Sequence, residues 1–212
     1  MIRKSYLACS AGLILALAAC GGDSTGASGN ISLADATKLA ADMDAVSNLG
    51  ASDLGLGASF SVGVAPMGST ASAVTTFTHS MDVTHPCPKG GTVQLKGTVT
   101  GSGDQVARSL TIDASAVRTD NACVFAAKNG GTITVNGDPN VAYAGHLNVV
   151  NGAFVGLQTQ SHIGRITLSR NGGAAVGCPI HVESSFNPTT HTVTVTGNIC
   201  DHIINETHTR AG

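Results

Sequence analysis

Eight histidines in a chain of 212 residues mark the first places to look for chemistry. His181 and Glu183 stand two residues apart in a segment that reads as a strand. That spacing sets both side chains on one face, roughly 6–7 Å apart. Asp201, His202 and His208 follow on the next predicted strand. Imidazole and carboxylate groups so arranged suit zinc or copper, or general acid–base transfer. The competing reading is a wetted sheet face dotted with polar groups, as antiparallel sheets ordinarily have. The sequence favours that reading, so no metal is expected, and His181, Glu183, Asp201 and His202 stand as weak candidates. His79, Asp82 and His85 form a second spaced trio. On a strand, His79 and His85 lie roughly 20 Å apart and Asp82 points to the opposite face, so they cannot share an ion. The run Val74, Thr75, Thr76, Thr78, Val83 and Thr84 disfavours a helix that would bring them together.

Signatures of catalysis are missing from the sequence. The one G-x-S-x-G, Gly22 to Gly26, sits in a glycine- and serine-rich stretch with no strand pattern before it, and there is no S-x-x-K downstream of the N-terminal segment, no H-E-x-x-H and no phosphate-binding glycine loop. A non-enzymatic protein without a cofactor is expected. Charged residues are 11% of the chain and the net charge is −2, so no basic face recruits nucleic acid.

The N-terminus is more specific. Arg3 and Lys4 precede an apolar run from Leu7 to Leu17, and Leu17-Ala18-Ala19-Cys20 follows. A positive start, an apolar core and a small-residue end make a secretory signal, too short to remain as a membrane span. Leu-Ala-Ala-Cys resembles the lipobox of bacterial lipoproteins. The resemblance implies that residues 1–19 are removed and that Cys20 is acylated and becomes the first residue of the mature chain. Residue 21 is glycine rather than the aspartate that marks retention at the inner membrane, so it implies the outer membrane. The membrane is then a partner through the anchor, and the domain lies in the periplasm or outside the cell. Residues 20–31 read as lipidated cysteine and flexible tether.

In that oxidising setting the remaining cysteines, Cys87, Cys123, Cys178 and Cys200, are expected to form disulfides. Four cysteines allow three connectivities. The sequential one, Cys87 with Cys123 and Cys178 with Cys200, is expected. A four-thiolate zinc site is the rival, and the absence of short C-x-x-C spacings argues against it.

These elements need a scaffold. Ser32 caps a predicted helix over 32–50, with Asp35 completing a capping-box-like start and Gly50 as the stop. Leu39, Ala40, Met43 and Val46 give it a narrow apolar stripe suited to lying on a sheet. Beyond residue 50 the period becomes two. Thr92-Val93-Gln94-Leu95-Lys96, Thr132-Ile133-Thr134-Val135-Asn136 and Thr192-Val193-Thr194-Val195-Thr196 alternate, each ahead of a glycine. Turn signals recur at Asn129-Gly130-Gly131, Asn136-Gly137-Asp138-Pro139, Asn151-Gly152, Asn171-Gly172-Gly173 and Asn187-Pro188.

The reading is a mainly β fold. It is an antiparallel meander, as a curved sheet or up-and-down half-barrel over 51–212, with one N-terminal helix, the whole forming one domain over 32–212. In the last hairpin, Phe186 is expected opposite His191 and Val182 opposite Val195. A bulge at Gly197 would then bring Cys200 across from Cys178. For function, a membrane-anchored, non-enzymatic envelope protein with a structural or interaction-mediating role is expected, its specific role not named by the sequence. The alternative is a carrier of an apolar small molecule or lipid between helix and sheet. At the level of architecture alone, that alternative looks like the half-barrel-plus-helix carriers that chaperone lipoproteins in bacterial envelopes.

Overall fold

The computed structural model describes residues 31–49, 53, 74–104 and 106–209. The signal segment, Cys20 and Gly50 lie outside the described residues. Among the described residues, one helix, α1 (Leu33–Ser47), precedes ten strands. They are β1 (Val74–Pro86), β2 (Thr92–Asp104), β3 (Ser109–Asn121), β4 (Cys123–Ala126) and β5 (Thr132–Val150). β6 (Ala153–Phe154), β7 (Gln158–Arg170), β8 (Val176–Asn187), β9 (Thr192–Ile199) and β10 (His202–Thr209) complete the chain. They form one open antiparallel sheet in the order β1-β2-β3-β5-β7-β8-β9-β10, with β4 and β6 both paired to the long β5. β2, β5 and β9 begin at the threonines that open the three alternating runs.

Laid flat, the eight strands of that path would span about 34 Å at about 4.8 Å per spacing. A helix is only about 10–12 Å wide. Yet α1 packs on β1 and β2 at one margin and on β9 and β10 at the other. The sheet therefore curls around the helix, and α1 fills the seam between its edges. Side chains alternate accordingly. Ile112, Ala114, Ala116, Arg118 and Asp120 of β3 and Cys178, Ile180, Val182 and Ser184 of β8 point inward and are buried. One inward row crosses the whole sheet: Met81, Gly97, Ala116, Tyr143, His162, Val182, Gly197 and Ile204.

The helix buries only Leu39, Met43 and alanines as its apolar contribution, so polar groups do much of the docking. Ser32 accepts from the Asp35 backbone NH at 3.2 Å, as a cap should. Asp35 does not turn back to complete the box. It is fully buried, accepts from Lys128 N at 2.7 Å and pairs with Arg170 of β7 at 2.8 Å. The other end lacks a basic residue in its last turn, and β3 supplies one. Arg118, also fully buried, donates to Met43 O at 3.1 Å and to Ser47 Oγ, where orphan helix carbonyls need donors. Asp120 holds the guanidinium from behind with both carboxylate oxygens, at 3.0 and 2.7 Å. Ser184 of β8 donates to Asp44, and His85 of β1 reaches Val46 O at 2.7 Å.

Both expected disulfides are present, Cys87–Cys123 and Cys178–Cys200, with Cα–Cα distances of 5.4 and 4.8 Å. Each is worth roughly 3–4 kcal/mol on the chain-entropy model.

The last hairpin differs from expectation. Phe186 pairs with Val193, Val182 with Gly197 and Ile180 with Ile199. The loop keeps its length but sits one residue later, because Asn187 Oδ1 accepts from the Thr189 and Thr190 backbones and His191 turns the chain at φ 52°. Gly197 carries no bulge. It has φ +127°, and an added Cβ would meet His181 O at 1.9 Å, which is reason enough for glycine. The bridge closes because Cys200 sits in the β9–β10 turn, with its NH on Pro179 O at 3.0 Å. A second correction concerns Asn136-Gly137-Asp138-Pro139. The segment is no hairpin turn but an irregularity within β5, where the pairing with β7 shifts between Gly137 and Val141. Proline, lacking an NH, is accommodated at such a break in the ladder.

Removing the guanidinium should leave Asp120 charged and buried. Arg118→Ala is expected to cost about 3–5 kcal/mol in urea unfolding, and Arg118→Leu combined with Asp120→Leu distinctly less. An equal loss in the double variant would show that packing rather than charge sets the cost.

Candidate functional site

The outward face of the sheet is polar and rich in hydroxyls. Two rows cross it from edge to edge. One runs Thr78, Thr100, Asp113, His146, Thr159, Ser185, Thr194, Thr207, and the other runs Ser80, Thr98, Ser115, Ala144, Ser161, Glu183, Thr196, Asn205. Between the rows, over β3 to β9, lies an open groove of about 550 Å³ lined by side chains such as Asp113, His146, Thr159, Ser161, Glu183 and Thr194.

A hydrogen-bonded relay marks one end of this groove. Thr111 Oγ1 donates to Asn148 Oδ1 at 2.8 Å, and Asn148 Nδ2 lies 3.0 Å from His146 Nε2. His146 Nδ1 lies 2.7 Å from Asp113 Oδ1. The consistent assignment puts the proton on Nδ1, donated to the carboxylate, with the Nε2 lone pair accepting from the amide. Both ring nitrogens are thus engaged, and the imidazole is held in place. The relay makes a fixed array of donors and acceptors, suited to binding. Its four members lie as far as 37 residues apart in sequence and carry no local motif, so only the strand register assembles them.

The residues singled out from sequence separate into two faces. His181 and Glu183 do meet on the outer face, Nε2 to Oε1 at 3.2 Å. Asp201 lies in the exposed β9–β10 turn. His202 points inward, where its Nε2 meets Ile31 O at 2.9 Å at the start of the helix. The candidate ligands are therefore not brought together. Among the described residues, no three His, Cys, Asp or Glu side chains are grouped closely enough to hold an ion. In the other trio, Asp82 faces outward, accepting from Gln94 at 2.7 Å and lying 3.6 Å from Lys96. His79 faces inward and stacks on Phe77 with ring centroids 5.1 Å apart. His85 faces inward too, with Asp53 3.4 Å away.

His162 is the unexpected group. It is fully enclosed, tilted against Tyr143 with centroids 5.4 Å apart, and neither ring nitrogen has a hydrogen-bond partner. Burial pulls its pKa well below the usual imidazole range, and the nearby Arg118 charge pulls the same way. Burial also raises the Tyr143 pKa, and Asp44 adds to the shift. His162 is thus a neutral filler on a wall that Arg118 already charges.

No protein-family model, curated protein or solved structure matches the chain.

His162 gives a pH dependence of definite sign. Its folded pKa lies below the unfolded value of about 6.5, so the folded state binds fewer protons there. Its contribution is complete above that value and is lost as pH falls toward the folded pKa, at up to about 1.4 kcal/mol per pH unit. Urea titrations between pH 7 and 5 should show a shallower acid-side loss for His162→Leu than for the parent.

Proposed function

We propose that the mature chain is a bacterial envelope lipoprotein, anchored through acylated Cys20 and favoured at the outer membrane, that works without catalysis by binding a partner on the outer face of its sheet. The observation that carries the reading is the division of labour between the two faces. The concave face is taken up by α1 and by a packed core including Leu39, Met43, Phe125, Ile133, Ile166 and Leu168. The convex face holds an open groove whose donors and acceptors are already positioned. Carriage of an apolar ligand would need α1 to leave a seam where it is fastened at its start by the Asp35–Arg170 ion pair and at its end by the buried Arg118, which donates to Met43 O and Ser47 Oγ. The two disulfides are in keeping with an oxidising compartment. Among the described residues no helix is long and apolar enough to cross a membrane. Several acyl chains together make such anchoring stable.

Two measurements test this. Mass spectrometry of the purified envelope protein should find acylated Cys20 as the first residue, and Cys20→Ser should leave the membrane fraction. Thr194→Arg with Ser161→Arg, which fill the groove while sparing the core, should abolish in-membrane crosslinking to the partner without moving the urea midpoint. Retained crosslinks would rule out the outer face.

A further inference from the structure

A second groove, of about 400 Å³, lies where α1 meets the edge strand β10. Ala34, Thr37 and Lys38 of the helix form one side, and Glu206 and His208 of β10 form the other, with Lys128 of the β4–β5 turn also facing it. Lys38 is occupied by Asp42, one helical turn on, at 2.5 Å. Lys128 and Glu206 are not occupied. Among the described residues neither side chain has an ion-pair or hydrogen-bond partner, although they carry opposite charges into the same space. The small Ala34 and Ala41 side chains leave that space open. An unpaired cation and an unpaired anion facing one small groove are the complement of a zwitterion. Its anionic group would face Lys128. Its cationic group would face Glu206.

Position narrows the zwitterion further. The groove uses the first turns of α1, only 14 residues after Cys20 (Cys20 to Ala34). Fourteen residues reach at most about 50 Å. On the anchored reading proposed above, the groove stays within that distance of the bilayer, where headgroups are present at high effective concentration. We infer that this groove binds a phospholipid headgroup carrying a phosphate and a primary ammonium, of the phosphoethanolamine kind. The phosphate lies toward Lys128 and the ammonium toward Glu206. Such contact would orient the domain on the membrane, holding the α1 side down and the groove of the outer face outward.

The test titrates glycerophosphoethanolamine into the full acylated chain in detergent, read by saturation-transfer NMR. Saturable binding is expected, weakened about tenfold or more by Lys128→Glu or Glu206→Lys alone. Reversing both charges together should restore most of it. Both residues are exposed, so circular dichroism should show all three variants folded. Glycerophosphate binding as tightly as the zwitterion would overturn the proposal, as would single variants without effect. A simple dipeptide binding equally well would assign the groove to free zwitterions and overturn the headgroup. In a second arm, the Cys20→Ser chain should float with vesicles rich in phosphatidylethanolamine more than with phosphatidylglycerol vesicles, and the reverse order would overturn the proposal. Failure of the anchor itself would show separately, as an unmodified Cys20 mass, because the soluble titration does not need it.

Discussion

A guanidinium with no access to water holds this molecule in its shape. Arg118 sits on the inner wall of β3, clasped by Asp120 and turned to the last carbonyls of α1. Desolvating such a pair is expensive, and it persists only because every donor in use is matched. Asp35 and Arg170 repeat the arrangement at the helix start. A helix whose largest buried apolar side chains are Leu39 and Met43 would otherwise lie on the sheet with little to fix its rotation. Because α1 bridges the first and last strands, fixing the helix also fixes how far the sheet curls.

The rest of the construction follows from a poor supply of large apolar groups. The chain has no tryptophan, and aromatics are 3% of it. The inner wall is therefore tiled with Val, Ile and Ala, with glycine where neighbouring backbones approach. The two disulfides act at the same margin of the problem. Cys87–Cys123 fastens the β1–β2 turn to the start of β4, and Cys178–Cys200 fastens β8 to the last turn. Each restricts the unfolded chain where core burial alone contributes modestly.

With the inner wall given to packing, the outer wall carries the open groove on which the proposed function rests. On it Asp82 pairs with Lys96, and the carboxylates of Asp113 and Glu183 lie within hydrogen-bond reach of His146 and His181, so each is held by a cross-strand or same-strand neighbour. At the seam, Lys128 and Glu206 remain apart. A protein held on a lipid anchor needs its partner-facing surface turned from the bilayer. The groove proposed to meet the membrane lies beside α1, and the one proposed to meet a partner lies on the opposite side of the sheet.

Much of the fold was legible in residues taken locally. Ser32 announced the helix, Thr92, Thr132 and Thr192 opened strands, and Asn-Gly pairs at 151 and 171 made turns with left-handed backbone. Capping, alternation and φ preference act over a few residues, so the sequence alone determines them, and with them the fold class. The disulfide partners, too, were those expected. Register was not legible. The last hairpin lies two residues from its expected pairing, and a slip of two leaves every side chain on its own face, so alternation cannot tell the two apart. For the same reason nothing local foretold that Asp113 would meet His146, that Arg118 would cap a helix 71 residues before it, or that His181 and His202 would part to opposite faces. Tertiary structure decided those, because cross-strand neighbours are set by how the whole sheet pairs and curls, a property that no short stretch of chain contains.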